Sequence, residues 1–129
     1  MRELKFRAWD KRWSWMGYDF YLSSKGVAFE TPSTTYDTPN IEIEEQDNLE
    51  IMQYTGIKDI DGVEIYEGDV IDRLHDKLGY VVFSGCSFCR RVLTPKGARD
   101  YHLSAEDSPL IKIIGNIHEN PELLNNKSK

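Results

Sequence analysis

The sequence predicts a mainly β fold that closes with at most one short helical turn. Two observations carry this. Apolar and polar residues alternate with period two in short runs, and Gly, Pro, Asp and Asn recur at close spacing between those runs. The first run is Leu4, Phe6 and Ala8 alternating with Lys5, Arg7 and Trp9. Asp10-Lys11-Arg12 reads as the turn after it, and Trp13-Ser14-Trp15-Met16 as a second strand. Gly17 and Ser23-Ser24-Lys25-Gly26 interrupt the chain before a third short strand, Val27-Ala28-Phe29. Residues 31–40 hold two prolines and a run of small hydroxylated residues, which continue neither a sheet nor a helix, so a mobile loop is expected there. Alternation resumes at Ile41-Glu42-Ile43-Glu44.

Leu49 to Tyr54 reads as the next strand. Lys58-Asp59-Ile60-Asp61-Gly62 is a hairpin turn, because Asp tolerates turn geometry and Gly62 supplies a positive φ. Val63 to Tyr66 returns, Glu67-Gly68-Asp69 turns again, and Val70-Ile71 follows. At least one of Gly62 and Gly68 is expected at positive φ. Tyr80 to Phe83 and Phe88 to Leu93 form a pair around Ser84-Gly85, and Pro95-Lys96-Gly97 breaks the pattern. Leu110 to Ile114 is the last long strand. Asn120, Pro121 and the following Glu-Leu-Leu read as an N-cap, a proline at the first helical position and one helical turn. Many short strands at this spacing suggest a sandwich or barrel.

Composition narrows the function classes. With 40% hydrophobic and 29% charged residues in 129, the chain is ordinary globular material. The net charge of −6 disfavours non-specific attraction to nucleic acid or anionic membrane. It is unevenly spread: residues 2–12 are basic, whereas residues 30–50 hold seven acids and no basic residue. The chain is charged straight after Met1, and Tyr80 to Phe83 is far too short to span a bilayer, so no targeting segment or membrane partner is expected. Two cysteines make no disulfide framework, which fits a reducing bacterial cytoplasm.

Several constellations invite a chemical reading. Cys86-Ser87-Phe88-Cys89 has the spacing of half a zinc site or a redox pair, but His75, His102 and His118 supply no second close pair of ligands. Residues three apart on a straight strand face opposite ways. Two ordinary thiols in a hairpin, with no metal, is the reading preferred. Asp59, Asp61, Glu64, Glu67, Asp69 and Asp72 are dense but miss the calcium-loop register, and turn chemistry accounts for them better. No Ser lies in a Gly-x-Ser-x-Gly context. Arg7, Trp9, Arg12 and Trp13 combine cations with aromatic rings, as a single-strand nucleic-acid binder does, although core packing of the tryptophans is the simpler explanation. Glu42, Glu44 and Glu45 form the centre of the acidic stretch and are candidates for engaging a protein partner.

Three blocks carry a resemblance. They are Arg2 to Asp10; Met52-Gln53-Tyr54-Thr55-Gly56-Ile57-Lys58-Asp59 with Gly62 and Ile65-Tyr66-Glu67-Gly68-Asp69-Val70-Ile71; and Ile114-Gly115-Asn116-Ile117-His118-Glu119-Asn120-Pro121-Glu122-Leu123-Leu124. In this order they resemble the YopX family of phage and prophage proteins. The resemblance implies a C-terminal SH3-type β-roll or small barrel, an origin in a phage or prophage of a bacterial host, and no particular activity. It gives an expected layout of an N-terminal β subdomain at 1–48, a β-roll at 49–124 and a frayed tail at 125–129. The expected function is a non-enzymatic binding module for a host or phage protein, without cofactor or metal. The alternatives are a nucleic-acid-binding accessory protein using the basic–aromatic N-terminus, and a small enzyme or zinc protein.

Overall fold

The computed structural model describes residues 3–18, 21–22, 28–30, 41–42 and 48–125. The expected loop at 31–40, Glu44 and Glu45, and the last four residues of the tail lie outside them. The fold is mostly β, with only short helices. The strands are β1 Phe6–Asp10, β2 Trp15–Gly17, β3 Tyr21–Leu22, β4 Ala28–Glu30, β5 Ile41–Glu42, β6 Leu49–Lys58, β7 Glu64–Tyr66, β8 Asp69–Arg73, β9 Gly79–Ser84, β10 Ser87–Thr94, β11 Gly97–His102 and β12 Ile111–Asn116. One helical turn, α1, spans Glu122–Asn125.

The chain divides into two compact units, one of residues 1–6 and 52–129, the other of residues 7–51. In the smaller unit β1 pairs antiparallel with β2, and β4 pairs antiparallel with both β3 and β5. The second strand begins at Trp15 rather than Trp13, because Lys11 to Ser14 form the turn and Ser14 takes φ 51°.

The larger unit holds a five-stranded antiparallel sheet in the order β11-β10-β9-β8-β12. It curls into part of a barrel, consistent with the SH3-type roll that the resemblance implies. Ile65, Ile71, Val81, Leu103 and Ile111 form its core, with Ile57, Phe88 and Ile113 packed around them. Burying each of the five core side chains contributes about 2 kcal/mol. Two elements differ from the reading above. Pro95-Lys96 does not end the sheet but is the two-residue tip of a hairpin, with Thr94 opposite Gly97, and β11 follows. Residues Ala105–Leu110 then form a 3₁₀ turn, entered through Ser104, whose N–H and hydroxyl meet Asp107 Oδ2 at 2.9 and 3.3 Å.

The blocks that carry the family resemblance build turns. At Gly56 (φ 88°) β6 bulges against β7, and the Thr55 hydroxyl bridges the gap by donating to Ile65 O and accepting from Ile57 N–H. Gly62 and Gly68 sit at φ 80° and 86°, as expected. Asp69 Oδ2 accepts the N–H of Tyr66 across the second turn, and Glu67 Oε1 accepts that of Gln53. In the last block, buried Asn116 ends β12: its Oδ1 accepts the N–H groups of His118 and Glu119, and its Nδ2 donates to Glu119 Oε2. That turn delivers the chain to α1.

Candidate functional site

The hairpin β1–β2 presents the aromatic residues singled out above, but not as one face. Arg7 and Trp9 are buried, at 4% and 9% exposure, whereas Trp13 and Trp15 stand at 75% and 65% and Tyr18 is also exposed. Arg12 is folded onto Asp10, donating its backbone N–H and both Nε and Nη2 to the carboxylate. That guanidinium holds the Asp10 carboxyl below the usual carboxylate range. Lys11 Nζ lies 3.6 Å from Glu50 Oε2. The cations of the hairpin tip therefore meet carboxylates, and the structure does not gather Arg7, Trp9, Arg12 and Trp13 into one surface. What it leaves outward is apolar: the Trp15 indole lies along the strand over Gly17, where a Cβ would stand 3.2 Å from the ring. Glu42 ends β5 in the same unit.

In the larger unit a cleft of about 290 Å³ opens beside β11, lined by Arg73, Asp76, Arg90, Tyr101, His102 and Asp107 among others. Arg90 is its buried centre. It donates to Lys77 O and Asp76 Oδ2, both at 2.9 Å, and lies 4.8 Å from the Tyr101 ring centroid. The N–H of Lys77 and the Arg90 guanidinium hold the Asp76 carboxyl below its ordinary range. Arg73 Nε pairs with Asp107 Oδ1 at 3.3 Å. The two carboxylates are thus tied to two guanidiniums, an arrangement that fixes the loops around the cleft. His102 is exposed at its rim, and His75, at φ 63°, is exposed on a turn.

The cysteines diverge. Cys86 is exposed on the β9–β10 turn at φ 71°. Cys89 is buried in β10, its Sγ 3.6 Å from Ser87 Oγ. The dense carboxylates of the turn region act on the backbone. Asp59 is buried; its Oδ1 accepts the N–H groups of Asp61 and Val63, and its Oδ2 accepts that of Ile113. The hairpin-turn role of Asp59 was readable from Asp-x-Asp-Gly, but its reach to β12 was not, because no local pattern marks a contact across 54 residues.

The YopX protein family profile matches residues 5–125. The chain belongs to the YopX family. Two crystal structures share the fold. One is the YopX protein of Bacillus subtilis, 19% identical over 96% of this chain and 99% of that one, with a TM-score of 0.62. The other is protein EF1440 of Enterococcus faecalis, 23% identical over the same shares, with a TM-score of 0.56. No curated protein matches the chain. Among the described residues no helix is long and apolar enough to cross a membrane.

Proposed function

We propose that this YopX-family protein is a non-enzymatic binding module whose smaller unit takes a basic face of a protein partner in a bacterial cell. The observation that supports it most is the pair of exposed indoles, Trp13 and Trp15, on the β1–β2 hairpin. Large aromatic side chains left in water cost free energy that a partner's pocket recovers, and Trp is enriched among residues that dominate binding. Charge supplies the second half. Residues 7–51 carry four basic and nine acidic residues, net −5 of the −6 for the whole chain. An acidic unit with apolar anchors suits a partner presenting Lys or Arg around an apolar pocket, the charges raising the rate of encounter and the indoles slowing release. Glu42, Glu44 and Glu45 are the acids assigned to that complement. The alternative, single-stranded nucleic acid, draws less support, since Arg7 and Trp9 are buried and Arg12 is held by Asp10.

The test is capture from bacterial lysate followed by calorimetry with the isolated partner. Trp13→Ala with Trp15→Ala, and separately Glu42→Lys with Glu44→Lys and Glu45→Lys, keep the circular dichroism of the parent and weaken binding about tenfold or more. The charge reversal also loses the salt dependence. Wild-type affinity in both variants refutes the assignment. A salt-dependent shift with single-stranded DNA transfers it to the alternative.

A further inference from the structure

Strand β11 is an open sheet edge. It stands at one end of the five-stranded sheet, pairs with β10 over six consecutive residues without a shift in register, and is exposed along its whole length. The direction of its main-chain groups follows from one bond. Leu103 donates its N–H to Phe88 O at 3.1 Å, and hydrogen-bonded pairs alternate along an antiparallel ladder. Gly97, Arg99 and Tyr101 therefore direct their N–H and C=O groups to β10, and Ala98, Asp100 and His102 direct theirs outward. The other end of the sheet is closed by the chain itself. There Ile60 donates its N–H to Ile111 O, Asp59 accepts that of Ile113, and the register breaks between Ile113 and Gly115. Bulges and covering turns are among the devices that protect edges, and β11 has neither; its Arg99 and Asp100 leave the strand with no net charge.

We infer that a second copy of this chain adds antiparallel to β11, making one sheet continuous across a two-fold axis. The strand is complementary to itself in that pairing. With the axis at Asp100, Asp100 faces Asp100 of the second copy and Ala98 faces His102 of the second copy as hydrogen-bonded pairs, which uses every outward main-chain group. Arg99 then stands opposite Tyr101 of the second copy, a residue 41% exposed, and a guanidinium over an aromatic ring is a favourable cross-strand pair. The two facing Asp100 carboxylates are each held by Arg91 of their own chain, at 2.8 and 3.0 Å, so the row runs guanidinium, carboxylate, carboxylate, guanidinium and each negative charge is neutralised within its own chain. Within the strand Arg99 cancels Asp100, which selects for a neutral strand such as its own copy over a strongly charged one.

Sedimentation equilibrium of the full chain tests this. Wild-type protein passes from monomer to dimer as its concentration rises from about 1 μM to about 500 μM. Ala98→Pro removes an outward N–H and no bond to β10, so it leaves the circular dichroism unchanged and weakens dimerisation about tenfold or more. Amide exchange gives a second readout: the N–H groups of Ala98, Asp100 and His102 exchange more slowly in concentrated than in dilute wild-type protein. A wild-type chain that stays monomeric overturns the inference and leaves the edge to an extended segment of another protein. So does an Ala98→Pro dimer as tight as the parent, or exchange at these three amides that ignores concentration.

Discussion

Asp59 spends both oxygens of one carboxylate on three backbone N–H groups, and it does so while buried. Hydrogen bonds to a charged acceptor are stronger than neutral ones, and removing the acceptor strands each donor away from water. Asp59→Ala is expected to destabilise the protein by about 3 kcal/mol or more in urea melts, far beyond Asp61→Ala at the exposed neighbouring position. Gly62 and Gly68 act through conformation instead. A Cβ on Gly62 meets nothing within 4 Å, so the cost of Gly62→Ala is that of φ 80° itself, about 1 kcal/mol. Acid sensitivity also resides in single groups. Arg91 lowers the Asp100 carboxyl, and the Lys77 N–H with Arg90 lowers that of Asp76. A depressed carboxyl stabilises the fold above its unfolded pKa and loses that contribution as pH falls through its folded value. Unfolding is therefore promoted below about pH 4, and Asp76→Asn flattens the fall measured by thermal melts between about pH 4 and pH 2. These roles divide by legibility. The glycines and Asp59 stood out because turns have local chemistry. The burial of Arg7 did not, because alternation sets it on the face opposite Phe6 and Ala8, whereas Arg7, Ala8 and Trp9 are all buried and β1 is covered on both faces.

Strands β6 to β10 were legible because each is bracketed by its own turn residues, and the β9–β10 tip falls at Gly85-Cys86, one residue after the expected Ser84-Gly85. β11 was missed for a physical reason. Gly-Ala-Arg-Asp-Tyr-His has almost no apolar face, since an edge strand exposed along its length needs none, and its pairing comes from the tight Pro95-Lys96 tip. The second strand was set two residues early because Trp13 and Ser14 have strand-like neighbours, whereas Ser14 at φ 51° belongs to the turn. Two strands also approach more closely than side chains allow. A Cβ on Gly79 in β9 would stand 2.8 Å from Arg91 O in β10. Gly79→Ala is expected to cost about 2 kcal/mol by chemical denaturation, more than Gly85→Ala at the exposed tip of the same hairpin. The candidate binding residues were half legible for a related reason. Trp13 and Trp15 could be flagged by type, but which tryptophan faces water depends on the strand ends, which periodicity fixes poorly.

On the scale of the molecule, net charge and core belong to different units: the smaller carries nearly all the net negative charge, and the Ile65–Ile111 cluster lies in the larger. If the acidic unit steers a basic partner, the association rate falls steeply with added salt while dissociation changes little, which stopped-flow measurements would read directly. The bond from Asp59 to Ile113 carries a consequence for how the chain acquires its fold. The β6–β7 hairpin is local, and hairpins of this kind close within microseconds. Its turn, however, has one carboxylate oxygen waiting for a strand 54 residues later. Until β12 docks, Ile65 and Ile71 lack Ile111 above them, and the edge that Ile60 will cover has no strand to cover. Folding of the larger unit is therefore governed by a long-range closure rather than by its hairpins, and such topologies fold in milliseconds to seconds. During synthesis the core stays open until residues 111–116 have left the ribosome, so a chain stalled short of β12 exposes its apolar strands and is the form that proteases and chaperones would meet.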